Sequence, residues 1–402
     1  MIVIGTTVGA GMLALQTVSA PAGFTLATIL MLVMWFLAVI TGLMVIEVNL
    51  ALPSHACTFS SMAERTLGAF WKAITWISFL FLFYSITWAY ISGGTSLITN
   101  TIEYVFHVKL PGWISAVSFT VILGSSVFFG ARIVDYFNRS LISIKGFLLV
   151  ATLILVLPHV DLNKLAATQN IEQAKYLWIA APIFLVSFLY HSVIPSLRIY
   201  IGDKPQELKR IVIYGTTVSL IVYLLWLAAT LGTVPLVGNN SFTSLAQSHS
   251  SVGEFVQTMS IIINNKWIAS SISCFASIAM TTSFLGVTLG LFDFLADGFR
   301  IPNTKSGRLK TAGLTFLPPL IFAILYPKAF TVALNCAAIF SAVIMLILPA
   351  LMIYRLRKNP NLKSPYRMFG GNILFALVLI IGVILLVLPI MSNLHLLPDI
   401  KI

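Results

Sequence analysis

The chain has 402 residues, 58% of them hydrophobic and only 9% charged, with a net charge of +12. A soluble domain carries roughly 25% charged residues, so this composition excludes a water-soluble globular protein and points to a chain folded in lipid. The basic residues are scattered over short loops rather than gathered in one patch, so neither a nucleic acid nor an acidic partner is expected.

Apolar runs of about 20 residues, the length that crosses the hydrocarbon as a helix, recur along the chain. Lipid offers the backbone no hydrogen-bond partner, so each run is expected to be helical. Eleven are read, at 1–20, 24–52, 74–106, 114–131, 140–158, 176–197, 211–235, 267–296, 312–326, 329–354 and 373–394, here numbered spans 1 to 11. The expectation is an all-α integral membrane protein with one transmembrane transport domain over 1–402.

Span 1 contains Gly5-Thr6-Thr7-Val8-Gly9-Ala10-Gly11, with three glycines in seven residues. Each costs about 1 kcal/mol against alanine in a helix interior. Close helix packing is one reason to tolerate them. The other is an unwound stretch whose free N–H groups face an anion at the start of a half-helix. That reading makes Thr6, Thr7, Gly9, Ala10 and Gly11 substrate-binding candidates. Glu47, near the end of span 2, is expected to pair with loop arginines or backbone, and is also counted as a proton-coupling candidate. In span 3, Tyr84, Thr87 and Tyr90 recur at i,i+3 and are expected on one face, lining a cavity or simply packing. Lys145, in span 5, either snorkels to the nearer surface or stays buried as an amine that exchanges protons during transport.

Span 6 contains Ser187-Phe188-Leu189-Tyr190-His191-Ser192-Val193-Ile194-Pro195. A proline kink explains this stretch taken alone. A second break, matched to that of span 1, explains both, since paired interruptions in corresponding positions mark a transporter site. Ser187, Phe188, Tyr190 and His191 join the substrate-binding candidates, with His191 either a proton carrier or a packed histidine. Spans 1 and 6 stand where two inverted five-helix repeats begin, over 1–159 and 176–355, with a final helix at 372–397 outside them. Segment 236–266 is long and polar enough for a small cap on the outer side. In span 8, the hydroxyls of Thr281-Thr282-Ser283 either hold an ion or ammonium or bond neighbouring helices; Thr282 and Ser283 are proton-coupling candidates, and Ser283 also a substrate-binding one. Asp293 is expected to be structural.

The three cysteines, Cys57, Cys274 and Cys336, form no disulfide framework. No basic n-region or small-residue cleavage site marks a signal peptide. Counted by alternate loops, Lys and Arg number 17 on one side against 6 on the other, which places the N-terminus in the cytoplasm and the C-terminus outside. The G-x-G pieces fall inside a span rather than between a strand and a helix. No Walker lysine, H-E-x-x-H or ATPase domain is present. The expectation is therefore no enzyme, no cofactor, no metal and no obligate protein partner, with coupling to an ion gradient as the energy source.

Several stretches together resemble one known group, the hydroxy/aromatic amino acid permeases. They are Gly5 to Leu13, Ala89-Tyr90-Ile91-Ser92-Gly93, Ser283-Phe284-Leu285-Gly286-Val287, Gly290-Leu291-Phe292-Asp293 and Thr315-Phe316-Leu317-Pro318-Pro319, and the resemblance covers almost the whole chain. It implies the leucine-transporter-like fold of the amino acid–polyamine–organocation superfamily, with helices 1 and 6 discontinuous. It also implies import of L-tyrosine or another aromatic amino acid by proton symport across the bacterial inner membrane. Tryptophan or serine/threonine uptake, or a non-transporting receptor on the same fold, are the alternatives. By resemblance, Gly9, Ala10 and Gly11 donate N–H groups to the substrate carboxylate, and carbonyls near Thr6 and Phe188 accept from its ammonium. The substrate side chain lies between helices 1, 3, 6, 8 and 10. Lys145 stands where sodium-coupled members bind sodium, near carbonyls around Gly5 and the hydroxyls of Thr282 and Ser283. Members of the family carry about ten further residues before the glycine motif, which complete the cytoplasmic half of helix 1 at about 1.5 Å each.

Overall fold

In a computed structural model of the chain, residues 2–53, 58–166, 171–247, 252–327, 329–394 and 396–397 are described. They are predominantly helical, with no strand among them. Cys57 lies outside the described residues, and Cys274 and Cys336 are free thiols.

Ten helices among the described residues are long and apolar enough to cross a membrane. The first of them, Met12–Leu50, would be about 58 Å long if straight, nearly twice the ~30 Å of hydrocarbon. It is divided by a 3-10 turn at Ala20–Ala22 that ends on Gly23, whose φ of 78° suits a residue without a Cβ. The turn separates span 1 from span 2 (Gly23–Leu50), so the ten helices cover the eleven apolar runs.

Spans 3 (Ala69–Phe106), 5 (Ala131–Val156), 7 (Pro205–Thr233) and 9 (Lys305–Leu325) begin five to nine residues before their apolar runs. Hydropathy marks only the lipid-immersed part of a helix, whereas these helices continue into the headgroup zone on polar first turns. Span 9 is capped by Thr304, whose hydroxyl accepts from the Gly307 N–H at 3.1 Å. A short helix, Phe59–Leu67, lies between spans 2 and 3, with Phe59, Met62 and Ala63 buried. At nine residues it is too short to register as a span. The expected cap between spans 7 and 8 forms two helices, Phe242–Gln247 and Val252–Ile263. The second is pinned to span 3, where the Gly253 N–H donates to Ser96 Oγ at 3.1 Å.

Spans 1, 2, 6 and 7 pack against one another, and spans 3, 4 (Gly112–Phe129), 8 (Lys266–Gly298) and 9 form a second set. Span 5 lies along span 8, and span 10 (Phe330–Lys358) along span 3. Span 11 (Asn372–Asn393) packs on span 10. Spans 6 and 10 are 67% buried in their apolar windows, against 22% for span 9 and 28% for span 5, so the former are interior and the latter face lipid. Exposed Phe147, Val150, Leu317 and Ile321 lie on these outer helices, where acyl chains solvate them. Span 10 widens into a π-helical turn at Val343–Ile347 just before Pro349, whose ring and missing N–H an α-turn would not accommodate.

Candidate functional site

Both glycine-rich and serine-rich interruptions are breaks. Span 1 runs as a helix over Ile2–Thr7, loses regular structure at residues 8–11, and resumes at Met12–Ser19. Gly5 falls within the first half-helix; only Gly9 and Gly11 belong to the break. Span 6 is helical over Leu177–Ser187, is interrupted at Phe188, Leu189 and Tyr190, and continues through a 3-10 turn at His191–Val193 into Ile194–Ile201.

The freed backbone groups have specific partners. The Val8 carbonyl accepts from Lys145 Nζ at 2.9 Å. That lysine is 6% exposed, so it is buried and does not snorkel. Its partner is Val8, one turn further along than the carbonyls around Gly5. The Ala10 N–H donates to Ser283 Oγ at 3.0 Å, and the buried Tyr90 lies near the same serine. A Cβ on Gly9 would come within 2.8 Å of Ser283 Oγ, so glycine lets span 8 approach the break this closely. Thr7 Oγ1 lies 2.5 Å from Ser219 Oγ of span 7.

The two breaks meet on Tyr223 of span 7, a residue the sequence did not single out. Its hydroxyl is 2.6 Å from the Thr7 carbonyl and 2.7 Å from the Ser187 carbonyl, and its ring packs edge-on to Phe188 at 5.3 Å. One hydroxyl proton serves two carbonyls at the inner ends of the two half-helices. Nothing in a 29-residue apolar helix distinguishes this tyrosine beforehand. Gln16 and Trp226, joined at 3.0 Å, tie spans 1 and 7 one level away.

Other expected residues lie apart. Tyr84 does not join Tyr90: its hydroxyl donates to the Leu314 carbonyl of span 9 at 2.8 Å. The i,i+3 spacing is the reason, since three residues fall about 60° short of a full turn and two such steps fan over about 120°. Thr87 is buried, and its hydroxyl has no partner among the described residues. Thr6 is exposed and donates to the Val3 carbonyl. Thr282 donates back into span 8, to the Ile278 and Ala279 carbonyls, rather than toward Lys145. Ser187 Oγ similarly donates to the Ile183 carbonyl. Tyr190 reaches span 2, donating to the Ala38 carbonyl at 2.8 Å, and His191 Nε2 lies 2.8 Å from Thr41 Oγ1.

Glu47 stands outside this cluster and is fully engaged. Its carboxylate takes both Nε and Nη2 of Arg357, at 2.8 and 2.7 Å, and the Met368 N–H at 2.7 Å. With these three donors on one buried carboxylate, the geometry is that of a structural clamp and gives the proton-coupling expectation for Glu47 no support. Asp293 is exposed and forms no ion pair among the described residues. No cluster of metal-ligating side chains occurs among the described residues.

Two broken helices, a buried lysine on the Val8 carbonyl and the hydroxyls of Thr7, Ser219, Tyr223 and Ser283 thus meet inside the bundle. The tryptophan/tyrosine permease family model matches residues 1–389. The chain is 35% identical over 404 residues to the tryptophan-specific transport protein of Pseudomonas aeruginosa (strain UCBPP-PA14), covering 99% of this chain and 95% of that one. It is 34% identical over 391 residues to the tyrosine-specific transport system 2 of Haemophilus influenzae, with 97% and 94% covered. It is 32% identical over 394 residues to the low affinity tryptophan permease of Escherichia coli (strain K12), with 95% and 92% covered. With residues 1–389 matched, the chain belongs to the tryptophan/tyrosine permease family.

Proposed function

We propose that this chain imports L-tyrosine across the bacterial inner membrane by proton symport, with its N-terminus in the cytoplasm and its C-terminus outside. The observation that carries this is the 2.9 Å bond from Lys145 Nζ to the Val8 carbonyl at the first break. A protonated Lys145 holds that carbonyl. Loss of the proton removes a buried charge and loosens the bond, so protonation and the shape of the break are coupled. Gly9 and Gly11 present N–H groups to the substrate carboxylate, and Tyr223 steadies the carbonyls on either side of the ammonium position. The Ala10 N–H, held by Ser283, must exchange that partner for the carboxylate when substrate binds.

A 5+5 inverted repeat over 1–159 and 176–355 is supported by the packing. The pattern of neighbours is nearly unchanged when each span number is shifted by five: span 5 on 8 answers to span 10 on 3, and spans 1 on 7 to 6 on 2. An odd number of crossings per repeat makes the second start on the opposite side. Spans 1, 2, 6 and 7 then rock against 3, 4, 8 and 9.

Tryptophan is the second substrate reading, favoured by relatives named for it at 35% identity beside tyrosine-named ones at 34%. Labelled tyrosine uptake into proteoliposomes, challenged with each unlabelled amino acid, separates the two. Tyrosine is expected to compete best. Stronger competition by tryptophan transfers the assignment to it, and binding without flux returns the chain to a receptor.

A further inference from the structure

The loop at 359–371 joins spans 10 and 11 on the side richer in Lys and Arg. Its backbone is fixed: the Met368 N–H donates to Glu47, and the Met368 and Gly370 carbonyls accept from Arg357. Beside this clamp lies a cleft of about 370 Å³, whose lining includes Glu47, Arg357, Lys363, Ser364, Tyr366 and Arg367. The charges around it do not balance. Glu47 and Arg357 neutralise each other, and Arg357 also lies over the Phe375 ring at 4.9 Å. Lys363 and Arg367 are exposed and form no ion pair or hydrogen bond among the described residues. Ser364 Oγ accepts from the Tyr366 N–H at 3.3 Å, which leaves its own proton free to donate.

A single unpaired cation on a surface is ordinary. Two of them on one preformed cleft, with a hydroxyl donor between them in sequence, make a site that attracts an anion. Just beyond Arg367, Phe369 and Ile373 are 60% and 80% exposed where the chain enters span 11. Cations beside exposed apolar side chains at a membrane surface match a charged headgroup and its acyl chains. We propose that this cleft binds the phosphate of an anionic phospholipid in the leaflet it faces. Lys363 and Arg367 meet the phosphate, Ser364 donates to it, and Phe369 and Ile373 lie against the acyl chains. A free phosphate would satisfy the cations equally but leave both apolar side chains in water, which favours the lipid. Because the loop carries the Glu47 clamp, an occupied cleft braces spans 2, 10 and 11 together. The inference is independent of which amino acid is carried and of what drives it.

The test is the affinity of dioleoyl phosphatidylglycerol for the whole protein in detergent, read by native mass spectrometry as lipid retained per chain. Dioleoyl phosphatidylcholine and soluble glycerol 1-phosphate are measured beside it. Lys363→Gln combined with Arg367→Gln removes both cations without stranding a partner. Lys305→Gln combined with Lys310→Gln removes two exposed, unpaired lysines at the start of span 9, on the same side, and changes net charge equally. Each cation at such a site corresponds to about fivefold in affinity. Phosphatidylglycerol binding is therefore expected to fall about thirtyfold in the first double variant and by no more than about twofold in the second. Phosphatidylcholine, whose headgroup carries its own cation, should bind the unaltered protein more weakly than phosphatidylglycerol does. Melting in lipid-free detergent should be the same for all three proteins; if the first double variant melts earlier, the single variants decide, each losing about fivefold.

Equal losses in the two double variants would reduce the effect to net charge and overturn the proposal. So would phosphatidylglycerol binding that survives undiminished without Lys363 and Arg367, or phosphatidylcholine that binds as tightly. Glycerol 1-phosphate binding as tightly as the lipid would make this a site for a soluble anion and overturn the lipid assignment. Uptake is not measured, so failure of the transport reading would leave each of these outcomes unaffected.

Discussion

Tyr223 and Lys145 both address backbone carbonyls that a continuous helix would have paired internally, and only one of them was visible beforehand. A lysine inside an apolar span is costly and draws attention; a tyrosine there reads as one more membrane aromatic. The glycines marked the first break because they lack a Cβ, yet only Gly9 shows a close approach that a side chain would obstruct. Tyr223→Phe removes the hydroxyl shared by the Thr7 and Ser187 carbonyls. It is expected to lower stability by about 1–3 kcal/mol, seen as a lower melting temperature in detergent, together with slower uptake. Unchanged melting and uptake would mean that the breaks are steadied elsewhere. Arg198 shows a second buried contact that charge counting could not place: its guanidinium donates to the Asn49 and Leu52 carbonyls at the end of span 2 and to Asp203 Oδ1 at 2.6 Å. That guanidinium holds the Asp203 carboxyl below its ordinary value of 3.8. The folded state thus favours ionised Asp203. Its contribution is complete above the ordinary value and is lost as pH falls through the lower, folded one. Asp203 is 60% exposed, so the effect is small. Asp203→Asn should lower the melting temperature slightly at neutral pH, with the difference vanishing in acid; a difference that grows in acid contradicts the pairing.

At the scale of the helix, the apolar runs located every span, because lipid imposes internal pairing on each one. The run lengths misplaced several starts, because charged first turns extend beyond the hydrocarbon. They also missed Phe59–Leu67, which lies outside the span-length pattern. Glycine spacing could not show which glycines are pressed. A Cβ at Gly42 in span 2 would meet Tyr190 Oη at 2.0 Å, whereas one at Gly5 meets nothing within 4 Å. Gly42→Ala therefore forces the second break to move and is expected to cost about 1–3 kcal/mol and most of the uptake. Gly5→Ala should be neutral or stabilising by up to about 1 kcal/mol. Thermal melts of the two variants check the contrast, and equal melting temperatures would contradict the packing described at Gly42.

Across the whole molecule, Glu47 joins span 2 to Arg357 in span 10 and to the Met368 backbone leading into span 11. Arg357 adds bonds to the Met368 and Gly370 carbonyls. Sequence separations of about three hundred residues hide such a clamp; pairing with some loop arginine was legible, but not which one. Removing one partner of a buried pair leaves the other charge unpaired, at a cost of about 3–5 kcal/mol. Glu47→Ala and Arg357→Ala should each destabilise strongly, and the double variant by less than their sum; additivity would show that the pair does not couple the spans.

The central claim, that protonation of Lys145 drives accumulation, is tested most directly by labelled tyrosine uptake into proteoliposomes. An inward proton gradient is imposed without sodium, and the unaltered protein is compared with Lys145→Ala. The account predicts accumulation above equilibrium that a protonophore abolishes, and none in Lys145→Ala. Accumulation that appears only with sodium, or that persists undiminished in Lys145→Ala, would contradict it.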